Sequence, residues 1–342
     1  MDSVIEAMHS ELEEQAGYLN DKKIRTIYFG GGTPSLLPPA ELQHFIDHAA
    51  ELYDCNEVSE ITTEANPDDI DTKYAEALAN TSVNRVSLGI QSFDDEALRF
   101  MNRRHSAEEA REAIGRLRNS GIQNISGDLI FGIARFGGES LEHSLQSLIA
   151  LGVEHISAYH LTIEPRTALG KLTEQGRYTP IDEATSEIEY RTVHQRLTQA
   201  GYEHYEVSNF ALNGYRARHN SAYWQGVPYL GIGPGAHSFS GEERRWCVSS
   251  AREYGEGKFL YESEQLTSTD HLNEYVMTSL RRIEGIDLNY IEQRFGTHHA
   301  ERIVQASTEW LRRGTLTLQG NTLAIPAQEM LLSDAIIEDL FA

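Results

Sequence analysis

Residues 24–35 read IRTIYFGGGTPS, a strand-like segment that runs directly into three glycines and a turn. A buried strand that ends in glycines leaves its backbone N–H and C=O groups bare, so a polar small molecule can lie against them. In α/β barrels, ligands bind at the carboxyl ends of the strands. The segment therefore predicts one strand of such a barrel, with a ligand site at its end.

Strand-like runs alternate with amphipathic helical runs from residue 24 to about residue 208. In one of the helical runs, Ser106 and Glu109 have capping-box spacing, and Gly121 stands where that helix is expected to end. Such a series predicts an α/β fold with a parallel sheet, here a partial barrel of (β/α)6 type that opens on a helix at residues 1–19. Six strands are predicted, at residues 24–29, 58–64, 83–91, 122–131, 153–161 and 202–208.

The sequence pattern changes after about residue 260. Apolar residues between 272 and 283 share one helix face, and two further helical runs follow at 288–295 and 299–312. Leucine and isoleucine then alternate on both sides of a Gly320-Asn321 turn, which is typical of a β-hairpin. We therefore expect a partial barrel at residues 1–260 and a smaller helical, winged-helix-like domain with a hairpin at residues 261–342.

Charge and cysteine content exclude several classes of protein. The net charge of −23 disfavours extended contact with nucleic acid or an anionic membrane, because both would repel the chain. No apolar run approaches the roughly 18 residues of a membrane span. Cys55 and Cys247 are isolated, so a disulfide framework and a CxxC metal site are not expected, and a reducing cytoplasm is the predicted location.

Glycines and polar side chains stand at the predicted carboxyl ends of successive strands. A structural role is open for each of them alone: Glu64 can cap the turn at Asn66-Pro67, and Asp128 can be paired inside the core. A structural barrel rarely brings so many hydrogen-bonding groups to one edge, so the set favours a ligand site. The strand-end residues are Gly31, Gly32 and Thr33, then Glu64, Gln91, Asp128 and Gly132, and finally His160 and Glu206.

Together these stretches resemble the oxygen-independent coproporphyrinogen III oxidase family of radical S-adenosylmethionine proteins. The resemblance covers nearly the whole chain. The string HNSAYW at residues 219–224 is similar to the HNxxYW signature of the heme chaperone branch of that family. The stretches that carry the resemblance are GGGTPS (30–35), TTEANP (62–67), RVSLGIQSF (85–93), MNRRH (101–105), GDLIFG (127–132), SAYHLTIEP (157–165), YEVSNFA (205–211), RHNSAYW (218–224) and YLGIGPGAHS (229–238).

The resemblance implies roles for individual residues. Gly31 and Glu64 match residues that hold the S-adenosylmethionine bound to an iron–sulfur cluster. A second group matches residues that contact another such molecule in the oxidase branch: Gly32, Thr33, Gln91, Arg103 and Asp128. Backbone groups at the glycines can meet the methionyl end, carboxylates can accept from amines or ribose hydroxyls, and Arg103 can pair a carboxylate.

The family's chemistry requires a [4Fe–4S] cluster held by a CxxxCxxC loop, which the resemblance places after a first strand and before the helix at residues 3–19. The chain contains neither that strand nor that loop. We therefore expect no cluster ligands in this chain and no radical generation by it, although the family is oxidoreductase-like. A truncation or a misassigned start site would explain the departure.

His219 is the candidate heme ligand. Tyr223 and Trp224 offer aromatic surface for a porphyrin face, and Arg216 and Arg218 can meet propionates. The alternative is a histidine that is hydrogen-bonded within a loop whose aromatic residues pack into the core.

Three functions remain open at this point. The first is a heme chaperone that binds heme and hands it to an apo-hemoprotein acceptor. The second is oxidative decarboxylation of coproporphyrinogen III propionates in heme biosynthesis. The third is a barrel enzyme that needs no cluster and uses the triple-glycine end as a phosphate site.

Overall fold

A computed structural model describes residues 2–342. Its main element is a seven-stranded sheet with the order β1-β2-β3-β4-β5-β7-β6, in which β1 to β5 are parallel and β7 is antiparallel to both of its neighbours. Its strands are β1 (Thr26–Phe29), β2 (Glu60–Ala65), β3 (Arg85–Gln91), β4 (Asn124–Phe131), β5 (His155–His160), β6 (Glu203–Glu206) and β7 (Asn209–Ala211).

Two smaller antiparallel sheets follow along the chain, with the orders β10-β9-β8 and β11-β13-β12. Their strands are β8 (His237–Phe239), β9 (Glu243–Cys247), β10 (Tyr261–Gln265), β11 (Ile286–Asp287), β12 (Thr317–Gln319) and β13 (Thr322–Ala324). Short 3-10 turns lie at Pro34–Leu36, Pro67–Asp69 and Ala327–Leu332.

The helices lie between the strands of the main sheet and dominate the C-terminal part of the chain. They are α1 (Asp2–Glu14), α2 (Pro39–Leu52), α3 (Thr72–Ala79), α4 (Asp95–Phe100), α5 (Ala107–Ser120), α6 (Glu139–Leu151), α7 (Ala168–Glu174), α8 (Glu183–Gln199), α9 (Arg218–Trp224), α10 (Ala251–Gly255), α11 (Ser268–Leu280), α12 (Leu288–Phe295), α13 (Thr297–Ala306), α14 (Thr308–Arg313) and α15 (Ser333–Leu340).

The predicted α/β partial barrel is confirmed. All six predicted strands are present, and the first five run parallel as expected. The seventh strand, β7, was not predicted; it is a three-residue segment that returns beside β5 directly after β6. The capping box of α5 is also confirmed: the Ser106 side chain accepts from the Glu109 N–H, and Gly121 ends the helix in the left-handed conformation.

The two faces of the main sheet differ in polarity. Val86 and Leu88 of β3 point away from the barrel interior and are fully buried in one core cluster with Leu117, Leu145 and Leu148 of the covering helices. The residues that alternate with them point inward and are largely polar. Because side chains alternate along a strand, the helices cover the apolar face and the concave face is left for polar chemistry.

The C-terminal region differs in detail from the expectation. The hairpin around Gly320-Asn321 is present as β12 and β13, and β11 adds a third strand beside it. The helix expected at residues 299–312 is instead two helices, which meet at the buried Ser307, whose hydroxyl donates to the Ile303 carbonyl. The division of the chain at residues 260 and 261 stays a prediction.

Among residues 2–342, no helix combines the length and the apolar character needed to cross a membrane.

Candidate functional site

The glycines after β1 form a small cradle against β2. The Gly31 N–H donates to Glu64 Oε2 at 3.3 Å, and the Tyr28 hydroxyl donates to Glu64 Oε1 at 2.7 Å. A Cβ at Gly30 would lie 2.5 Å from the Tyr28 ring and 2.8 Å from Glu64 Oε1, and Gly31 has a φ of +97°. Glycine is therefore needed at both positions, at one for space and at the other for backbone conformation.

Gly32 and Thr33 continue the same loop. No atom lies within 4 Å of a Cβ built on Gly32, so this backbone is open to an approaching molecule. Thr33 precedes the 3-10 turn at Pro34–Leu36, and its carbonyl accepts from the Leu36 N–H at 3.0 Å. The structure thus places Gly31, Gly32 and Thr33 on one accessible loop beside Glu64.

The inward-facing side chains of β1 to β5 surround a cavity of about 50 Å³. Glu64 and Asp128 both line it, so the structure brings two of the predicted residues together. The side chains that line it come from alternate strand positions and from the start of α9: Tyr28, Glu60, Thr62, Glu64, Arg85, Ser87, Ser126, Asp128, His155, Ser157, Tyr159 and Asn220.

Asp128 is the most perturbed carboxyl of this cavity. Burial raises its pKa to about 7, while hydrogen bonds from Ser157 and Ser87 act in the opposite direction. The Ser87 hydroxyl lies 3.2 Å from one Asp128 oxygen and 3.3 Å from the other. The nearby Glu64 carboxylate adds to the rise in pKa. Asp128 can therefore either accept or donate a hydrogen bond near neutral pH.

Gln91 and Arg103 lie at the same end of the sheet. Gln91 is buried at the end of β3 with a φ of +68°, a conformation that non-glycine residues rarely adopt and that often marks functional sites. Half-burial lowers the pKa of Arg103, and Asp128 and Asp68 oppose the change. Within residues 2–342, the guanidinium of Arg103 makes no hydrogen bond or ion pair, whereas Arg104 pairs with Asp68 at 2.7 Å. Arg103 is thus free to pair an anion.

The groups of the cradle can pair with amine, carboxylate and hydroxyl groups such as those of S-adenosylmethionine. The enclosed cavity of about 50 Å³ has room only for a water-sized group, so such a ligand would lie on the open glycine loop. Glu64 and Asp128 supply acceptors, and Arg103 supplies a cation. Among the described residues, the buried Thr62 hydroxyl has no hydrogen-bond partner, although it lines the cavity. A buried polar atom without a partner is costly, and a bound polar ligand would satisfy it.

The residues present do not fit an iron–sulfur cluster. The chain has two cysteines, and each lies in a different apolar cluster, Cys55 beside Tyr53 and Cys247 beside Tyr254. Burial raises the pKa of both thiols, which disfavours the thiolate form that binds iron.

His219 lies on α9, at the edge of the sheet beside β1. Its Nδ1 lies 2.8 Å from the Thr26 hydroxyl, its Nε2 lies 2.9 Å from the Tyr223 hydroxyl, and its ring stacks on Tyr28 at 4.8 Å between centroids. Burial lowers the pKa of His219, and Glu60 opposes this. The imidazole is therefore neutral at physiological pH, and Tyr28 links it to the Glu64 cradle.

The N-terminus of α9 is fixed by a buried carboxylate. Glu60 Oε2 accepts from the Arg218 N–H at 2.9 Å, and Glu60 Oε1 accepts from the His219 N–H at 2.8 Å. The negative charge also suits the positive end of the helix. Arg216, a predicted propionate partner, instead pairs with Glu203 and Glu284. Arg218 is exposed on the same helix.

Tyr28 and Glu60 were missed as site residues. Glu64 and Asp128 were predicted from strand ends, but residues from several positions along each strand also line the cavity. The signal was present in the sequence: β2 reads Glu60, Thr62 and Glu64 at every second position, with Ile61 between the first two. Polar residues at a period of two predict one polar strand face.

Several curated proteins are similar to this chain over most of its length. Heme chaperone HemW of Bacillus subtilis is 32% identical over 303 residues, which cover 86% of this chain and 80% of that protein. The chain belongs to the HemW family. HemW of Mycobacterium tuberculosis is 33% identical over 98% of this chain and 85% of its own length, and HemW of Escherichia coli is 33% identical over 83% and 75%.

Family models and a solved structure agree with this assignment. The radical SAM superfamily model matches residues 7–148, and the HemN C-terminal domain model matches residues 266–332. The structure of coproporphyrinogen III oxidase (HemN) from Escherichia coli matches with a TM-score of 0.83 at 21% identity, covering 100% of this chain and 83% of that one. At that identity the likeness shows the fold that this HemW-family chain shares with HemN.

Proposed function

We propose that this HemW-family chain binds heme and delivers it to an apo-hemoprotein acceptor. The observation that carries the proposal is the environment of His219, a neutral imidazole that stacks on Tyr28 and bonds through Nε2 to the half-exposed Tyr223. The relatives named heme chaperone support the same role.

The hydrogen bonds of His219 suit an iron ligand. If Nδ1 carries the proton and donates to the Thr26 hydroxyl, the Nε2 lone pair is left to accept from Tyr223. Tyr223 is 42% exposed, so its hydroxyl can move aside and leave Nε2 open to heme iron from the solvent side. The exposed Arg218 lies on the same helix and can pair a propionate.

The two other candidate functions have weaker support. Decarboxylation of coproporphyrinogen rests on the HemN likeness, which shows the fold alone. A phosphate site at the glycines is disfavoured because the Gly31 N–H already donates to the Glu64 carboxylate, whose charge would repel a phosphate. The loop also leads into a three-residue turn rather than a long helix.

Heme titration followed by transfer tests the proposed function. The tag-free chain should bind one equivalent of heme with a shifted Soret band. It should then lose that band when an apo-hemoprotein is added, while the acceptor's spectrum appears. Weak binding of several equivalents, or a complex that never gives up its heme, would contradict the role as a chaperone. In this role the acceptor is a protein partner, and the cytoplasm stays the predicted location.

We also propose that the cradle holds S-adenosylmethionine, with Gly31 and Glu64 at its methionyl end. Gly32, Thr33, Gln91, Arg103 and Asp128 are then the further contacts that the sequence predicts. Support comes from the position of Glu64 beside bare glycine backbone. Among residues 2–342, the Arg103 guanidinium and the Thr62 hydroxyl also have no hydrogen-bond partner. A [4Fe–4S] cluster would supply the iron that binds this cofactor in the radical SAM superfamily, and the ligands for it are not among the residues of this chain.

Glu64→Gln should weaken S-adenosylmethionine binding about tenfold, because it replaces a charge-assisted hydrogen bond to the ammonium by a neutral one. Isothermal titration calorimetry of the purified chain measures this. Glu57→Gln removes an exposed carboxylate just before β2 and serves as the control. Equal affinity of Glu64→Gln and wild type would remove Glu64 from the proposed site.

A further inference from the structure

A cluster of histidine and glutamate side chains joins α1 to α2. His9 of α1 faces Glu41 and His44 of α2, and one ligand atom from each of the three lies within 4.8 Å of the other two. On α2 the spacing of three residues puts Glu41 and His44 on one face, and His48 lies one turn further along it.

We propose that His9, Glu41 and His44 bind a Zn²⁺ ion that fastens α1 to α2, and that His48 and Glu13 orient His9. The site offers two imidazoles and one carboxylate, which is a usual ligand set for zinc. A fourth position faces solvent, since the His44 side chain is 66% exposed, and water can occupy it.

The distances suit a tetrahedral ion. Zinc–nitrogen bonds of about 2.0–2.1 Å place neighbouring ligand atoms about 3.3 Å apart in a tetrahedron. His9 Nε2 lies 3.2 Å from Glu41 Oε1, and His44 Nδ1 lies 3.6 Å from the same oxygen. The ligand atoms of His9 and His44 lie within 4.8 Å of each other, so a side-chain rotation that brings them closer would complete the site.

The hydrogen bond of His9 Nδ1 suits a tautomer that leaves the Nε2 lone pair for zinc. His9 Nδ1 lies 2.8 Å from His48 Nδ1, and His48 Nε2 lies 3.3 Å from Glu13 Oε1. If Nε2 of His9 binds the metal, Nδ1 donates to His48, and His48 in turn donates to Glu13. Chains of this kind, in which a ligating imidazole donates through its other nitrogen, are the usual outer shell of zinc sites.

The surroundings hold His9 ready to bind. Its ring stacks on Phe45 at 3.9 Å between centroids with an interplanar angle of 3°, which fixes its orientation. The acidic chain as a whole also attracts divalent cations.

The test is a competition titration of the tag-free, chelator-treated chain against a chromophoric zinc chelator. Wild type should bind one zinc, and His44→Ala and Glu41→Gln should each bind it at least tenfold more weakly. His48→Gln should weaken binding about 10-fold or more, because it removes the imidazole that links His9 to Glu13 and orients His9. The control His298→Ala removes an exposed histidine of α13 and should bind as wild type does.

A second readout separates specific binding from surface coordination. Zinc should raise the melting temperature of wild type and of His298→Ala, because an ion that binds the folded chain more tightly than the unfolded chain stabilises the fold. It should not raise the melting temperature of His44→Ala, which lacks one of the ligands. Cobalt in place of zinc should give the visible spectrum of a tetrahedral site. Equal affinity of wild type, His44→Ala and Glu41→Gln, or weak binding of several ions with no change in melting temperature, would overturn the proposal.

Discussion

Glu11→Ala is expected to lower the free energy of unfolding by about 3–5 kcal/mol, since it leaves two buried donors and one partly buried donor unpaired, at about 1–3 kcal/mol each before relaxation. Glu11 lies on α1 and is fully buried. Its carboxylate accepts from the Gly233 N–H at 2.8 Å, from the Tyr261 hydroxyl at 2.5 Å and from the Tyr254 hydroxyl. Glu11 therefore holds α1 against the loop before β8 and against β10.

Chemical denaturation monitored by circular dichroism measures this loss. Glu14→Ala, an exposed position one turn further along α1, is the matched control and should change the unfolding free energy by less than about 0.5 kcal/mol. Glu11→Gln keeps the shape of the side chain, but its amide NH2 would face one of the donors that the carboxylate accepts from. The unfolding free energy of Glu11→Gln should therefore lie between those of Glu11→Ala and Glu14→Ala. A Glu11→Ala variant as stable as Glu14→Ala would contradict the role assigned to this carboxylate.

Asp128→Asn should stabilise the protein at pH 8 and leave its stability unchanged at pH 4. Burial raises the Asp128 pKa from 3.8 to about 7 in the folded chain. Between these two values the folded chain keeps a proton that the unfolded chain has lost, so the unfolding free energy falls as the pH rises. Losing a proton with a pKa of about 7 in the folded chain, where the unfolded chain loses it at 3.8, costs about 4 kcal/mol of folding stability at pH 8. Asparagine avoids this cost because it is never charged.

The measurement is the unfolding free energy of both proteins at several pH values between 4 and 8. Burial also raises the pKa of Glu206 to about 7. The unfolding free energy of Asp128→Asn should therefore still decrease as the pH rises, but by less than that of wild type. Asp47→Asn on α2 removes an exposed carboxylate and should keep the full wild-type slope. Parallel curves for Asp128→Asn and wild type would show that Asp128 does not hold its proton in the folded chain.

The main sheet was predictable because its signals are local. A buried parallel strand reads as an apolar run between turns, and the α5 capping box is visible as Ser106 and Glu109. The three-stranded sheet of β8 to β10 was missed because its strands are only three to five residues long and because β9 and β10 are rich in charged residues, which leaves no apolar run to detect. The helix break at Ser307 was missed because it accompanies the burial of the Ser307 side chain, and the helical periodicity of the sequence does not show which residues are buried there.

The sequence predicts site residues at the strand ends, but it did not point to the cavity residues Tyr28 and Glu60. A glycine run after a strand and carboxylates within strand-like segments are visible in the sequence, so Gly31, Glu64 and Asp128 are predicted from it. The structure places Glu64 and Asp128 inside β2 and β4, around one cavity. Glu60 contacts Arg218 and His219 of α9, which lie 158 and 159 positions further along the chain, so no local sequence pattern predicts the contact. Glu11 and the His9 cluster share this property, since their partners lie on other elements.

The proposed heme contact of this HemW-family chain is His219 on α9. The most direct test is a heme titration of three tag-free proteins: wild type, His219→Ala and His143→Ala, which removes an exposed histidine of α6. We predict that His219→Ala lowers heme affinity at least tenfold and changes the Soret band, while His143→Ala matches wild type. The same affinity and the same spectrum in all three proteins would contradict the claim.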